Sequence, residues 1–199
     1  QDVNNGDGSN RVLTVINTSD DGLVTTTQSD LNGDGVFDRT TTSTTVLNIN
    51  GSQTTTELVK NANGQILARS QTVVSDDGLV TIQRSDADGD NDYDLVLTKT
   101  TTLLADGGTQ VVGELRDLAG LLREKTTTTI SDDGRLTIVS ADLNGDGQVD
   151  RQTSRSVAND GTVTETAIDT TETGALVSQE RRTISANGLA VTHEWDRDG

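Results

Sequence analysis

The chain has 199 residues, a formal net charge of −17 at pH 7 and only three aromatic residues, Phe37, Tyr93 and Trp195. So acidic a surface excludes nucleic acid and anionic membrane surfaces as partners, and three aromatic side chains leave little from which to build a large globular core. Cysteine is absent and His193 is the only histidine, which excludes disulfides, thiolate nucleophiles, zinc clusters and Ser-His-Asp triads.

Threonine is the most abundant residue, with 34 copies, and there is no proline. Threonine suits a pleated sheet through its β-branch, and a strand without proline donates along its whole ladder. The composition favours sheet held by backbone hydrogen bonds over an oily interior. No apolar run reaches the length of a membrane span.

Taken in order, residues Gln1 to Gly8 read as an incomplete copy of a loop that returns later. A four-residue turn sign follows at Ser19-Asp20-Asp21-Gly22 and recurs at Ser75-Asp76-Asp77-Gly78, Ser131-Asp132-Asp133-Gly134 and Ser185-Ala186-Asn187-Gly188. These signs divide the chain into a partial repeat at 1–18, repeat units at 19–74, 75–130 and 131–184, and a partial repeat at 185–199. The last of these ends in Asp196-Arg197-Asp198-Gly199, the opening of another loop, so the expectation is a piece of a longer array.

Each unit carries further glycine turns at Asn48-Ile49-Asn50-Gly51 and Asn61-Ala62-Asn63-Gly64 or their equivalents, which leaves four strand-like stretches per unit. Period-two positions such as Val24, Val80 and Leu136, then Ile66, Leu122 and Leu176, then Val74, Ile130 and Ile184 predict an inner face. No stretch has the 3.6-residue apolar spacing of a long helix. The expected fold is all-β: a repetitive antiparallel β-hairpin array, an elongated solenoid or a spiral or meander sheet. It has about four strands per 56-residue unit, with stacked hairpins burying a narrow continuous core.

The organising feature is a nine-residue acidic loop in each unit. It runs Asp30-Leu31-Asn32-Gly33-Asp34-Gly35-Val36-Phe37-Asp38, then Asp86-Ala87-Asp88-Gly89-Asp90-Asn91-Asp92-Tyr93-Asp94, then Asp142-Leu143-Asn144-Gly145-Asp146-Gly147-Gln148-Val149-Asp150, with 56 residues between copies. Side-chain oxygens stand at positions 1, 3, 5 and 9, position 6 tolerates positive φ, and position 7 offers a backbone carbonyl. Calcium takes this set of hard oxygens on a sharply turning loop. The candidate ligands are therefore Asp30, Asn32, Asp34, Val36 and Asp38; Asp86, Asp88, Asp90, Asp92 and Asp94; and Asp142, Asn144, Asp146, Gln148 and Asp150. An EF-hand would add Glu at position 12, where this chain has Thr41, Leu97 and Thr153, so closure falls to the position-9 Asp or to water. The bland reading is an acidic turn that uses Asp, Asn and Gly for turn chemistry alone. Metal-linked folding is expected, because the middle loop sets five carboxylates in nine residues.

Among the remaining candidates, Asp20 and Asp21 read as turn residues and His193 as a strand-surface residue. Phe37, Tyr93 and Val149 read as plugs packing each loop onto the sheet, and Arg39 and Arg151 as charge balance for the preceding Asp. Threonine is not kept in rank, since Thr26 becomes Ile82 and Ile138, which argues against an ice-binding face. No enzymatic activity is expected.

The segment Asp86 to Asp94 with the following Leu95-Val96-Leu97 resembles the calcium loop of FG-GAP or VCBS-type β-propeller blades. Arg116-Asp117-Leu118-Ala119-Gly120-Leu121-Leu122-Arg123-Glu124 and Glu194-Trp195-Asp196-Arg197-Asp198-Gly199 resemble YD or RHS-like hairpin repeats, without the Tyr of that signature. As a whole, the chain resembles the threonine-rich repeat regions of giant bacterial secreted or surface proteins, including those exported by type I secretion. That resemblance implies an extracellular filament, stalk or adhesin spacer that folds on meeting external calcium, with self-association or continuation into further repeats. The alternative it leaves open is a ligand-binding β-propeller fragment.

Overall fold

The computed structural model of the chain describes residues 2–4, 6 and 10–198. The incomplete loop expected at Gln1 to Gly8 lies largely outside the described residues, as does the final Gly199. Fifteen strands and no helix occur among the described residues.

The chain divides into two compact units, Gln1–Val96 and Leu97–Gly199. The first holds β1 (Asp2–Asn4), β2 (Asn10–Thr18), β3 (Val24–Asp30), β4 (Arg39–Leu47), β5 (Gln53–Asn61), β6 (Ile66–Val74) and β7 (Val80–Asp86). They are hydrogen-bonded in chain order, and every pair from β1 to β7 is antiparallel. The border between the units falls inside β8 (Leu95–Leu103). The second unit continues with β9 (Thr109–Asp117), β10 (Leu122–Ile130), β11 (Leu136–Asp142), β12 (Arg151–Val157), β13 (Val163–Thr170), β14 (Leu176–Ile184) and β15 (Val191–Asp196), again in chain order. The set β3 to β6 recurs as β7 to β10 and as β11 to β14, four strands per repeat. The third repeat is two residues shorter than the others, and its β12 has seven residues where β4 and β8 have nine.

The ladder runs straight through the repeat borders: β6 pairs with β7 from Arg69↔Asp86 to Val74↔Thr81, and β10 with β11 from Lys125↔Asp142 to Ile130↔Thr137. Propeller blades are separate four-stranded sheets, so this continuity is that of a hairpin array.

Threonine performs the sheet-building expected of it. Thr26 faces Thr42, Thr27 faces Thr41 and Thr44 faces Thr56, and the hydroxyls of Thr45 and Thr55 are 3.0 Å apart. Such cross-strand pairs are each worth about 0.2–1 kcal/mol. The turns are equally regular. At the repeat border the Asp21 carboxylate accepts the Ser19 hydroxyl at 2.6 Å and the Leu23 N–H at 3.0 Å, while Val24 N–H donates to Ser19 Oγ at 2.9 Å. The same three bonds close the turns at Ser75/Asp77 and Ser131/Asp133, and at Ser185 the amide oxygen of Asn187 replaces the carboxylate.

The expected inner face is not buried. Val59, at 6% exposed, is the one buried apolar side chain among the described residues, whereas Leu136, Leu176 and Ile130 are 36–40% exposed. Within each unit every strand contacts only its chain neighbours, so apolar side chains are half-covered by adjacent ladder positions and not by a second layer. The narrow continuous core anticipated from stacking is therefore corrected to a ladder of half-buried positions.

These turns predict an acid limb. The Ser hydroxyl and then a backbone N–H hold Asp21, Asp77 and Asp133 below the ordinary carboxyl value of 3.8. A depressed folded-state pKa contributes stability in full above pH 3.8 and loses it as pH falls through the folded value. Asn187 shows that an amide oxygen closes the same turn. The triple variant Asp21→Asn, Asp77→Asn, Asp133→Asn is therefore expected to fold and to lose less stability than the parent below pH 3.8, read as urea midpoints across pH.

Candidate metal centre

Each acidic loop connects two strands of one hairpin and leaves from a buried carboxylate. Asp30 and Asp86 are 1% exposed and Asp142 is 5% exposed, in a protein whose apolar residues are almost all more accessible. Burying a carboxylate is unfavourable unless its oxygens are hydrogen-bonded. The loop supplies those bonds by folding back on its own first residue.

In the first loop Asp30 Oδ1 accepts the N–H groups of Gly33 at 2.6 Å and Asn32 at 3.2 Å, and Oδ2 accepts that of Gly35 at 2.8 Å. The third loop repeats the pattern: Asp142 accepts from Gly145 at 2.6 Å, Asn144 at 3.3 Å and Gly147 at 2.8 Å. In the middle loop Asp86 accepts from Gly89 at 2.7 Å and Asn91 at 3.1 Å. Burial acts to raise the Asp30 carboxyl, but the donors at Gly35, Gly33, Asn32 and Asp34 outweigh it and hold its pKa below 3.8. Asp30 is thus an ionised, buried anion with defined lone pairs.

The position-9 carboxylates close each loop from the far side. Oδ2 of Asp38, Asp94 and Asp150 accepts the N–H of Leu31, Ala87 and Leu143 at 2.8, 2.7 and 2.6 Å. Their own N–H groups donate back to Ser29, Ser85 and Ala141. Position 5 stabilises the next bend: Asp34 Oδ1 accepts the Val36 N–H, Asp90 Oδ1 the Asp92 N–H and Asp146 Oδ1 the Gln148 N–H, all at 2.8–2.9 Å. At position 3, Asn32 and Asn144 accept the N–H of Asp34 and Asp146 at 2.9 Å, and Asp88 accepts that of Asp90 at 3.2 Å.

Two glycine positions make the fold-back possible. At position 4 a Cβ on Gly89 would stand 2.3 Å from the Ile66 carbonyl oxygen, and one on Gly145 would stand 2.1 Å from that of Leu122. The loop is thus pressed against the start of β6 or β10, on the same sheet edge as the turn before that strand. Position 6 has positive φ but open space, at Gly35 and Gly147; the middle loop fills it with Asn91, at φ 83°.

The donor set fits a hard divalent cation by its chemistry: each loop offers carboxylate, amide and carbonyl oxygens only, and an oxygen that accepts one N–H retains a second lone pair. In the middle loop carboxylate oxygens of Asp86, Asp88 and Asp94 lie within 4.8 Å of one another. Asp90 and Asp92 stand outside that trio and are exposed. In the first and third loops the position-5 carboxylate is turned toward position 3, with Asn32 Nδ2 donating to Asp34 Oδ2 at 3.2 Å and Asn144 Nδ2 to Asp146 Oδ2 at 3.3 Å.

Sequence reasoning missed Arg69. Its side chain reaches from β6 onto the middle loop, donating to Asn91 Oδ1 at 3.0 Å and to the Asn91 carbonyl at 2.6 Å. The guanidinium lies 3.8 Å from Asp86 Oδ2 and 4.2 Å above the centre of the Tyr93 ring. The signal was the register, in which the position opposite the first Asp is Leu13, Arg69, Lys125 and Gln179 in successive repeats.

Three smaller expectations are adjusted. Tyr93 and Phe37 are half-buried, but Val149 is 42% exposed, too small to cover its loop as a plug. Arg151 pairs with Asp169 at 3.7 Å across the β12–β13 ladder, not with Asp150. His193 lies exposed on β15 beside Trp195, itself 60% exposed, with ring centres 6.3 Å apart.

The chain is an antiparallel β-hairpin array with one closed acidic loop per repeat. Compared with models of known protein families and with curated proteins, it matches none.

Proposed function

We propose that the chain is a structural, calcium-stabilised repeat module that serves as a filament, stalk or adhesin spacer in a larger secreted or surface protein of a bacterium. The observation that carries this reading is the threefold return of one loop with a buried first carboxylate that accepts the N–H groups of positions 4 and 6. A sheet with a single buried apolar side chain among its described residues needs another source of order. Calcium would be held by Asp30, Asn32, Asp34, Asp38 and the Val36 carbonyl in the first loop, and by the equivalent residues in the others. Bound there, the ion would supply positive charge against the loop carboxylates and a demand for their oxygens. The chain's own residues set the rest: the N–H donors orient the first carboxylate, and the position-9 Asp ties the loop exit to its entry.

Extracellular fluid is the compartment that fits, because modest-affinity sites fill at millimolar calcium and stay largely empty in cytosol. A formal charge of −17 adds to the demand for a cation. The role is mechanical, with no catalytic residue assigned.

The test is a triple variant, Asp34→Ala, Asp90→Ala, Asp146→Ala. The position-5 carboxylates are exposed and each accepts one exposed backbone N–H, so the substitutions are expected to shift the metal-free urea midpoint little. The rise in midpoint that the parent shows at millimolar calcium is expected to be largely lost. An equal calcium-dependent rise in parent and variant would remove the loops from the mechanism.

A further inference from the structure

We infer that Arg69 is a resident cation of the middle loop, so that the three loops form two classes: one held closed by the protein itself, and two that depend on metal for full order. The inference rests in part on the calcium reading, but its first consequence concerns the metal-free protein.

The middle loop departs from the other two at several positions together. It has Asp88 where they have Asn32 and Asn144, Asn91 where they have glycine, and an acidic Asp92 at position 7. Taken alone, these changes raise the negative charge and place a side chain at φ 83°. Both are unfavourable, and Arg69 answers both. Its two terminal nitrogens hold Asn91 by side chain and by carbonyl, pinning the left-handed bend, and its charge stands beside Asp86, the buried end of the loop. Tyr93 covers the guanidinium from the other side. The Arg69 side chain is only 19% exposed, so its charge is largely withdrawn from water and directed at the loop. A cation left so poorly hydrated is committed to the loop.

Among the described residues neither flanking loop has this device. Leu13 stands opposite Asp30 and has no charge. Lys125 stands opposite Asp142, but its ammonium is 3.3 Å from Glu114. A fixed positive charge beside the coordinating carboxylates also opposes a divalent ion, so the middle loop binds calcium more weakly than it would with leucine at 69. For a single and a double positive charge about 6 Å apart, even water-like screening leaves about a tenfold loss of affinity, and less screening leaves more.

Two measurements on the full chain test this. In chelator, backbone amide exchange in 86–94 is expected to be about tenfold slower than in 30–38 and 142–150, a factor typical of one modest local interaction. In Arg69→Leu, which installs the residue found at Leu13, that excess protection is expected to vanish while the strands keep theirs; Arg69→Lys retains charge without the paired donors and is expected to fall between. Equal exchange in all three loops of the parent, or unchanged protection of 86–94 in Arg69→Leu, would overturn the inference. Should Arg69→Leu fail to fold, Arg69→Lys carries the same comparison.

The second measurement uses terbium as the probe in a Trp195→Phe background. Tyr93 is then the only residue that sensitises terbium emission on excitation near 280 nm, and it lies in the middle loop. Arg69→Leu is expected to lower the half-saturating terbium concentration by about tenfold or more; an unchanged titration contradicts the competing charge. If terbium and calcium affect none of the loops, the calcium reading fails, and the chelator comparison still decides the role of Arg69.

Discussion

Gly145→Ala is expected to be among the most damaging single substitutions in the chain, lowering stability by about 3–5 kcal/mol. Two effects add at this position. Its φ of 77° costs an L-residue roughly 1–2 kcal/mol. The new Cβ would also stand 2.1 Å from the Leu122 carbonyl oxygen, 2.6 Å from its carbon and 3.0 Å from the Arg123 nitrogen. All three are backbone atoms at the start of β10, so relief requires moving the loop or the strand. Gly147→Ala is the matched control: φ is 89°, but nothing lies within 4 Å of the added carbon, so only the conformational cost of roughly 1–2 kcal/mol remains. Asn91 at the corresponding place in the middle loop shows that position 6 accepts a side chain. Urea midpoints at constant m-value for the two variants measure the difference directly.

Asp142→Ala is expected to cost about 2–4 kcal/mol in chelator and more in calcium. Its carboxylate is 5% exposed and accepts the N–H groups of Gly145, Gly147 and Asn144. Alanine leaves those donors without their acceptor, and the fold-back that seats Gly145 against Leu122 loses its anchor. Asp142→Asn keeps one acceptor oxygen but points an NH2 group at a backbone N–H, so it is expected to lie between the parent and Asp142→Ala. Local amide exchange at 143–150 reports the loop, and the calcium-dependent shift in midpoint reports the site.

The strands and loops of this fold were legible in the sequence because its turn chemistry is explicit. Ser-Asp-Asp-Gly, Asn-Xaa-Asn-Gly and the nine-residue acidic loop each need glycine at positive φ, and recurrence at a fixed spacing sets the strands between them. Less legible was what the strands pack against. The alternation of Val24, Ile66 and Val74 with their equivalents suggested a buried face, but alternation marks which side chains share a face, not whether another layer covers it. Arg69 escaped for a related reason. Its partner loop lies about twenty residues away, and only the β6–β7 register, set by the turn after Ser75, brings the two together. Arg151 was assigned to its chain neighbour Asp150, although in a strand the cross-ladder position, here Asp169, is the one a side chain faces. The position-9 Asp, proposed as the closing ligand, also accepts the N–H of position 2 in every loop, a structural role that composition alone does not reveal.

The same loop geometry reconciles the bland and functional readings. Oxygens at positions 1, 3, 5 and 9 each cap a local backbone N–H, which accounts for the bend, while the burial of the first carboxylate is what the metal reading explains in addition. The fold-back bonds shape the bend without metal, and among the described residues carboxylate oxygens converge in the middle loop; in the proposed reading calcium would add order to that existing bend.

The most direct test of the account is an isothermal titration of the full chain with calcium, paired with urea unfolding in calcium and in chelator. Saturable binding at the three loops, reached by millimolar calcium, is expected, with an unfolding midpoint that rises with calcium concentration as binding to the folded state requires. No binding heat at several temperatures together with an identical midpoint in calcium and chelator would contradict it, and would leave the three loops as acidic turns of an otherwise metal-independent sheet.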